Sequence, residues 1–435
     1  MAEALVIRGG KKLKGKVRVS GAKNAASKMM VASLLTDEKV TLTNFPVIGD
    51  TAITAELCGI LGSGIQQSGN TLTIHTPAIK NHEALSLSRR NRIPILALGP
   101  LLARTGKAEV PFLGGDKVGA RPVDLHIIAL TALGARITEN KSTYRAEALK
   151  GLHGAKIVLP FPSVGATENT ILAAVLAKGR TVIYNAAVEP EILDLITLLQ
   201  KMGAIIGLGA NRVIYIEGVD RLRGAKHEVM PDRNEAVSFA CLAVVTDGRV
   251  EVENARQGDL ISFLNALRKI GGEYAVENGG ITFWRERPLT GIELETDTHP
   301  GFMTDWQQPF VALLTQAKGV SIIHETIYED RFGYTRDLNA MGAHIKVFSK
   351  CLGELPCRFN GCGYEHSAVV SGGTGLIGGK AAVRDLRAGM MQVIAALIAS
   401  GESRITGIEE IDRGYHALDT RLRKLGADIK RVLIK

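Results

Sequence analysis

Apolar residues along this chain recur in a pattern that is longer than any single helix or strand. Six stretches are apolar nearly all round: AASKMMVASLL (25–35), IPILALGPLLA (93–103), TENTILAAVLA (167–177), EAVSFACLAVV (235–245), WQQPFVALLTQ (306–316) and AGMMQVIAALI (388–398). Such segments predict helices that lie inside, with sheets packed outside them. A short turn, Gly-containing in most copies, leads to a β-branched strand such as VTLTN, TVIYN, RVEVEN or VSIIHE. A second helix follows, amphipathic at 3.6 spacing, as in Leu264, Leu267 and Ile270. It ends on the tag [LIM]-G-[ASG]-x-[IY], which occurs six times, from Leu61, Leu133, Met202, Ile270, Met341 and Leu425. The tag glycine reads as a helix C-cap, where positive φ costs glycine nothing. A fixed period marks a repeated unit, here an α/β module that cannot bury its apolar faces alone. Six units in 435 residues predict two domains of three units each. Because a strand precedes the first helix, the domains are expected to be discontinuous: 23–230, and 1–22 with 231–435.

Charged residues sit at matching places in the repeats. The first helices open with Lys23–Asn24, Arg90 and Arg92, Ser163–Thr167, Asp232–Arg233, Thr304–Asp305, and Asp385 with Arg387. Arg121, Arg331 and Arg413 each lie eleven to thirteen residues before a tag glycine. Helix N-termini favour anions, so cations there oppose the local field. That placement suits residues that hold a phosphate or carboxylate; ion pairs between domains are the structural alternative.

Composition narrows the classes. Hydrophobic residues at 46% and charged residues at 22% describe a globular protein. The net charge of +9 suits an anionic partner. Aromatics are only 5%, which argues against nucleic acid. The run Lys11, Lys12, Lys14, Lys16 reads as a solvated loop. No apolar stretch has membrane-spanning or signal-peptide length, and five cysteines without a small-domain framework suit a reducing cytoplasm. GGTGLIGGK (372–380) contains G-x-G-x-x-G, but its later glycines would break the helix that a dinucleotide fingerprint must open. Cys351, Cys357, Cys362 and His366 could make a tetrahedral zinc site, or could simply be small hydrophobes and a lone histidine.

Several motifs carry a resemblance. SGAKNAA (20–26), GGDKVGARPVDLH (114–126), SVGAT (163–167), EPEI (189–192), MPDRNEA (230–236), HPGFMTD (299–305), DLRAG (385–389) and IDRGY (411–415) resemble the UDP-N-acetylglucosamine 1-carboxyvinyltransferases. The likeness runs from end to end. It implies an inside-out α/β barrel of two pseudo-threefold domains, the first binding nucleotide and carrying the catalytic loop, the second closing over the substrates. It also implies transfer of the enolpyruvyl group of phosphoenolpyruvate to the sugar 3-hydroxyl, in the cytoplasm, for peptidoglycan precursor synthesis. Neither cofactor nor metal is implied, and the sequence leaves the oligomeric state open. Phosphoenolpyruvate presents phosphate and carboxylate, which Arg matches with planar bidentate contacts. By resemblance its cations are Lys23, Arg92, Arg121 and Arg413, with Arg387 nearby and Arg331 added from its loop position. The sugar nucleotide is expected against Asn24, Arg121, Pro122, Val123, Asp124, Leu125, Ser163, Val164, Gly165, Asp305 and Ile327. Asp305 matches the family's base.

Two positions depart from the family pattern. Asp116 stands where the family usually has the cysteine that acts as acid and is alkylated by fosfomycin, so the chain resembles a fosfomycin-insensitive Asp subset. Phe161 stands where a lysine usually meets the nucleotide phosphates. The rival readings are the sister enolpyruvyl transferase of the shikimate pathway and a non-catalytic sugar-nucleotide-binding paralogue.

Overall fold

The computed structural model describes residues 3–88, 91–112, 114, 122–277, 279–355 and 357–434. Arg90, Asp116 and Arg121 lie outside them. The chain divides into two compact units, one containing residues 21–114 with 122–230 and the other residues 3–20 with 231–434.

In the unit of residues 21–230, helices α1 (Lys23–Ala32), α2 (Gly49–Ile60), α3 (Leu98–Thr105), α4 (Asp124–Ala132), α5 (Val164–Ala174) and α6 (Pro190–Lys201) alternate between the two kinds anticipated. Helices α1, α3 and α5 are the apolar ones, and nine of the eleven residues of α5 are buried. Helices α2, α4 and α6 each run into a tag. The other unit repeats the scheme with α7 (Arg233–Val245), α8 (Ile261–Ile270), α9 (Thr304–Leu314), α10 (Thr335–Ala340), α11 (Leu386–Ile398), the short α12 (Glu409–Asp412) and α13 (Leu418–Lys424). All thirteen residues of α7 are buried. The six tag glycines, Gly62, Gly134, Gly203, Gly271, Gly342 and Gly426, all have φ between 97° and 112°. A side chain there would be strained, so the tag is fixed by backbone geometry.

Each repeat builds one sheet to a common plan. The strand after the buried helix pairs antiparallel with the second strand of a hairpin, and in five sheets a short parallel strand lies on its other side. Lys39–Thr43, for example, pairs with Thr71–His75 and with Lys226–Glu228. In the last sheet the hairpin slot is filled by the start of the chain: Glu3–Arg8 lies between Glu402–Thr406 and Asp428–Leu433. Lys14–Arg18 likewise adds to Arg249–Glu253, so both opening strands belong with residues 231–434.

The expectation of a barrel is overturned. Among the described residues there are six separate open sheets, five of four strands and one of three, and none closes on itself. Closure needs continuous pairing with a stagger carried round the ring. Here one edge is a hairpin strand such as Gly64–Ser68, mostly exposed and polar, and the other is a parallel strand of only a few residues. Such edges resist further pairing. The parallel partner Lys380–Ala382 begins where GGTGLIGGK ends, and no helix opens there.

Candidate active site

Burying a helix on all sides leaves its first turn as the place for polar chemistry, and there the structure concentrates charge. Asp305 stands in the first turn of α9. Its Oδ1 accepts from Arg331 Nη2 at 2.9 Å and its Oδ2 from Arg387 Nε at 3.2 Å. Both guanidinium side chains are nearly sealed, 4% and 6% exposed, whereas the carboxylate is 22% exposed. The acid is therefore the solvent-facing member of the triad. Burial opposes the charge of Arg331, but Asp305, Asp385 and Glu325 outweigh it and raise its pKa. Burial likewise opposes Arg387, and Tyr415, Asp305 and Asp232 outweigh it. Asp385 caps α11 by accepting from the N–H groups of Arg387 and Ala388, each at 3.0 Å, which fixes the backbone that aims Arg387. Arg387 Nη1 also donates to the Tyr415 hydroxyl at 3.1 Å.

Glu325 braces the residues around this cluster. Its carboxylate accepts from Thr304 Oγ1 at 2.9 Å, Gln307 Nε2 at 2.7 Å, Ile327 N at 2.8 Å and Tyr328 N at 3.0 Å. Burial pushes its pKa up, against the pull of Arg331 and of these donors. The result ties the loop carrying Ile327 to the first turn of α9. Arg413, also buried, caps α12 and donates from Nη1 to Glu410 Oε2 at 2.6 Å.

The unit of residues 21–230 has its own cluster at helix starts. Lys23, the first residue of α1, pairs through Nζ with Asp50 Oδ2 of α2 at 2.8 Å. Arg92 caps the 3-10 turn Ile93–Ala97 that leads into α3. His126 lies where the start of α4 meets the start of α5, and a Cβ on Gly165 would stand 2.9 Å from His126 Nε2. Gly165 is thus required by close approach. Burial, and then the charge of Arg92, push the His126 pKa down to about 3, so the ring is neutral. Asn169 Nδ2 lies 3.2 Å from His126 Nδ1, which must accept there, leaving the proton on Nε2. Deeper, Glu168 of α5 is pushed up to about 7, chiefly by burial, with Lys28 opposing and Glu191 and Glu189 adding to the shift.

The family model of EPSP synthase (3-phosphoshikimate 1-carboxyvinyltransferase) matches residues 7–422. The UDP-N-acetylglucosamine 1-carboxyvinyltransferase of Protochlamydia amoebophila is 48% identical over 99% of this chain and 94% of its own length. The enzyme of the same name from Chlamydia pneumoniae is 50% identical over 96% of this chain and 93% of its own. The chain belongs to the UDP-N-acetylglucosamine 1-carboxyvinyltransferase family. Among solved structures, the enolpyruvyl transferase NikO from Streptomyces tendae shares the fold at TM-score 0.86 and 23% identity, each chain covered to 99%. EPSP synthase from Acinetobacter baumannii shares it at TM-score 0.73 and 20% identity, both chains fully covered.

For a member of this family, the expected site residues fall into two groups. Asp305, Arg331 and Arg387 are directly bonded, and Ile327 is held through Glu325. Arg413 follows directly on α12, which packs against α11. In the other unit, Val123, Asp124 and Leu125 open α4 beside Ser163, Val164 and Gly165 at the start of α5. Ser163 caps α5, accepting from Ala166 N at 3.4 Å. Pro122 and Asp124 are exposed, Asn24 is half-buried, and Phe161 packs on the edge of the apolar core. Residues given no role from the sequence are Asp50, His126, Glu168, Glu325 and Tyr415. His126 and Tyr415 lie inside GARPVDLH and IDRGY, so their motifs were visible; Asp50 and Glu325 had no such signal.

No helix among the described residues is long and apolar enough to cross a membrane.

Proposed function

We propose that this chain transfers the enolpyruvyl group of phosphoenolpyruvate to the 3-hydroxyl of UDP-N-acetylglucosamine, releasing phosphate, in cytoplasmic peptidoglycan precursor synthesis. The observation that carries the reading is Asp305, an accessible carboxylate held at a helix start by two buried arginines. As the sugar oxygen bonds to C2 of phosphoenolpyruvate, its proton passes to Asp305, and C3 takes a proton from an acid, assigned to Asp116. The tetrahedral intermediate then loses phosphate as the C2–O bond breaks and C3 gives up a proton. Positioned acid–base groups of this kind supply about 10²–10⁴-fold each.

The cations are assigned to the anionic substrate, Lys23, Arg92, Arg121 and Arg413 to phosphoenolpyruvate, with Arg387 and Arg331 orienting Asp305. Residues 23–230 are assigned the nucleotide through Asn24, 121–125 and 163–165, and residues 231–435 the base and Ile327. The neutral Nε2–H of His126 beside Gly165 supports a polar contact there. Asp116 in place of cysteine supports membership of a fosfomycin-insensitive subset. Phosphate release from phosphoenolpyruvate that depends on UDP-N-acetylglucosamine, and not on shikimate 3-phosphate, tests the proposal. Release with shikimate 3-phosphate alone would assign the chain to the sister reaction, and no release with either would favour a binding paralogue.

A further inference from the structure

Outside the carboxylate–guanidinium cluster, four side chains with metal-ligand chemistry meet at the end of one sheet. His324, Cys351, Cys357 and His366 each offer a ligand atom, and these atoms all lie within 4.8 Å of one another. Both histidines are fully buried, and the two thiols are half-buried. Strand register makes the meeting. His324 ends the strand Val320–His324 and pairs with Ser367, the first residue of Ser367–Ser371, so His366 is its neighbour. Phe348 pairs with the same Ser367 from the other side, and His366 N donates to Phe348 O at 3.0 Å. Cys351 follows Phe348 by three residues.

The rings are set for ligation. His366 Nδ1 donates to the Tyr364 carbonyl at 2.7 Å, so its Nε2 carries the lone pair and faces Cys351 Sγ at 3.2 Å. His324 Nδ1 lies 3.0 Å from Glu295 Oε2, and an ionised carboxylate can only accept. Its Nε2 therefore also carries a lone pair, and that atom is buried with no hydrogen-bond partner among the described residues. A fully buried acceptor left unpaired is costly, and a metal bond would satisfy it. A carboxylate or carbonyl fixing the far nitrogen is the usual outer shell of a metal-bound histidine.

The approach of the loop is equally constrained. Glu354 N and Leu355 N donate to Glu295 Oε1 and Oε2 at 2.8 and 2.9 Å. A Cβ on Gly353 would stand 2.2 Å from both Glu295 Oε2 and His324 Nδ1, so the chain crosses this pair only as glycine. Phe359 N donates to Cys357 Sγ at 3.4 Å, a contact that suits a thiolate.

We propose that His324, Cys351, Cys357 and His366 form a structural zinc site that clamps the 351–366 loop onto its sheet. Two sulfurs and two imidazole nitrogens are the donor set of tetrahedral zinc and a poor one for magnesium or calcium. Zn–S bonds near 2.3 Å and Zn–N bonds near 2.0 Å put tetrahedral ligands roughly 3.3–3.8 Å apart, within reach of the observed cluster. Binding releases the two thiol protons to solvent, and two thiolates neutralise the ion, as a buried site requires. Four protein ligands leave no open position, so the role is structural. The fourth ligand is His324, not the Cys362 that spacing alone suggests. Cys362 is exposed and donates weakly to the carbonyls of Arg358 and Asn360, at 3.7 and 3.9 Å. The clamped loop carries Arg358, whose Nη2 donates to the Ile327 carbonyl.

The test is the metal content of the full chain, purified under reducing conditions, dialysed and measured by plasma mass spectrometry. One zinc per chain is expected in the wild type and in Cys362→Ser, and almost none in Cys351→Ser/Cys357→Ser. Should that double variant fail to fold, cobalt(II) added to metal-stripped wild type decides separately. Tetrahedral visible bands with a thiolate charge-transfer band in the near ultraviolet are expected, along with a melting temperature that zinc restores. Wild type that holds no metal after incubation with zinc and reductant, a Cys351–Cys357 disulfide in its place, or loss of zinc from Cys362→Ser would overturn the proposal.

Discussion

Replacing Asp305 separates the chemical role proposed for it from its structural one. Truncation to alanine removes the acceptor of two charge-assisted hydrogen bonds, at 2.9 and 3.2 Å, and strands guanidiniums that are nearly sealed from water. Hydrogen bonds to charged groups contribute about 1.5–3 kcal/mol each. Part of that loss is offset, because Arg387 keeps the Tyr415 hydroxyl and Arg331 keeps the field of Glu325 and Asp385. A net cost of about 2–4 kcal/mol follows for Asp305→Ala. Asp305→Asn keeps an amide oxygen toward one arginine, so about half that cost is expected. Turnover behaves differently: an amide cannot take the hydroxyl proton, so both variants should lose about 10²–10⁴-fold in kcat. The assay is phosphate release for turnover and urea unfolding for stability, on the same preparations. If Asp305→Asn kept near-normal kcat, or if kcat losses tracked stability losses across the two variants, the assignment of Asp305 as base would be wrong.

Glu168, pushed up to about 7, lies above an unfolded value of about 4.3, so folding favours its protonated form and wild type loses stability as pH rises through that window. Glu168→Gln should remove this slope, and parallel urea midpoints for the two proteins from pH 4.5 to pH 8 would refute the shift. Fosfomycin should leave the wild type active, because a carboxyl that must be protonated to act as acid is a poor nucleophile, and activity should decline as pH rises. Asp116→Cys should gain time-dependent inactivation; rapid irreversible inactivation of wild type would sink the substitution argument. Phe161→Lys should lower KM for the sugar nucleotide by up to about tenfold, one charge contact to phosphate, with kcat little changed; an unchanged or raised KM counts against that contact.

Much of the fold is written locally. Apolar runs without a polar face had to be buried helices, and the tag glycines had to take positive φ, because both constraints act within a few residues. The barrel failed as an expectation because closure depends on what sheet edges do. Pattern predicts a strand but not whether its outer edge, as in Gly64–Ser68, finds another partner. The candidate site was legible to the same depth. Asp305, Arg331 and Arg387 stood out as charges at repeated positions, yet their bonding spans 26 and 82 residues and needs the packing of α9 against α11. His324 carried no spacing signal at all. Only the register that sets it opposite Ser367 brings it to His366, whereas Cys362, close in sequence, turns outward.

The same logic explains why chemistry gathers where it does. A helix buried on all sides can keep polar side chains only if each finds a partner, since an unpaired buried polar group costs about 1–3 kcal/mol. Helices α7, α9 and α11 carry several, and neighbouring elements answer them: Trp306 Nε1 donates to Asn234 Oδ1 at 2.9 Å, Tyr334 to Gln307 at 3.0 Å, and Ser238 lies 2.8 Å from the Tyr415 hydroxyl. Each bond joins two different elements, so the first turns are aligned by mutual need and not by the apolar packing alone, which would tolerate small slides. Asp305 sits within this network as its most accessible member. The network therefore fixes the two arginines and leaves the carboxylate partly exposed, which is the preorganisation that the base proposed for this site requires before a hydroxyl arrives.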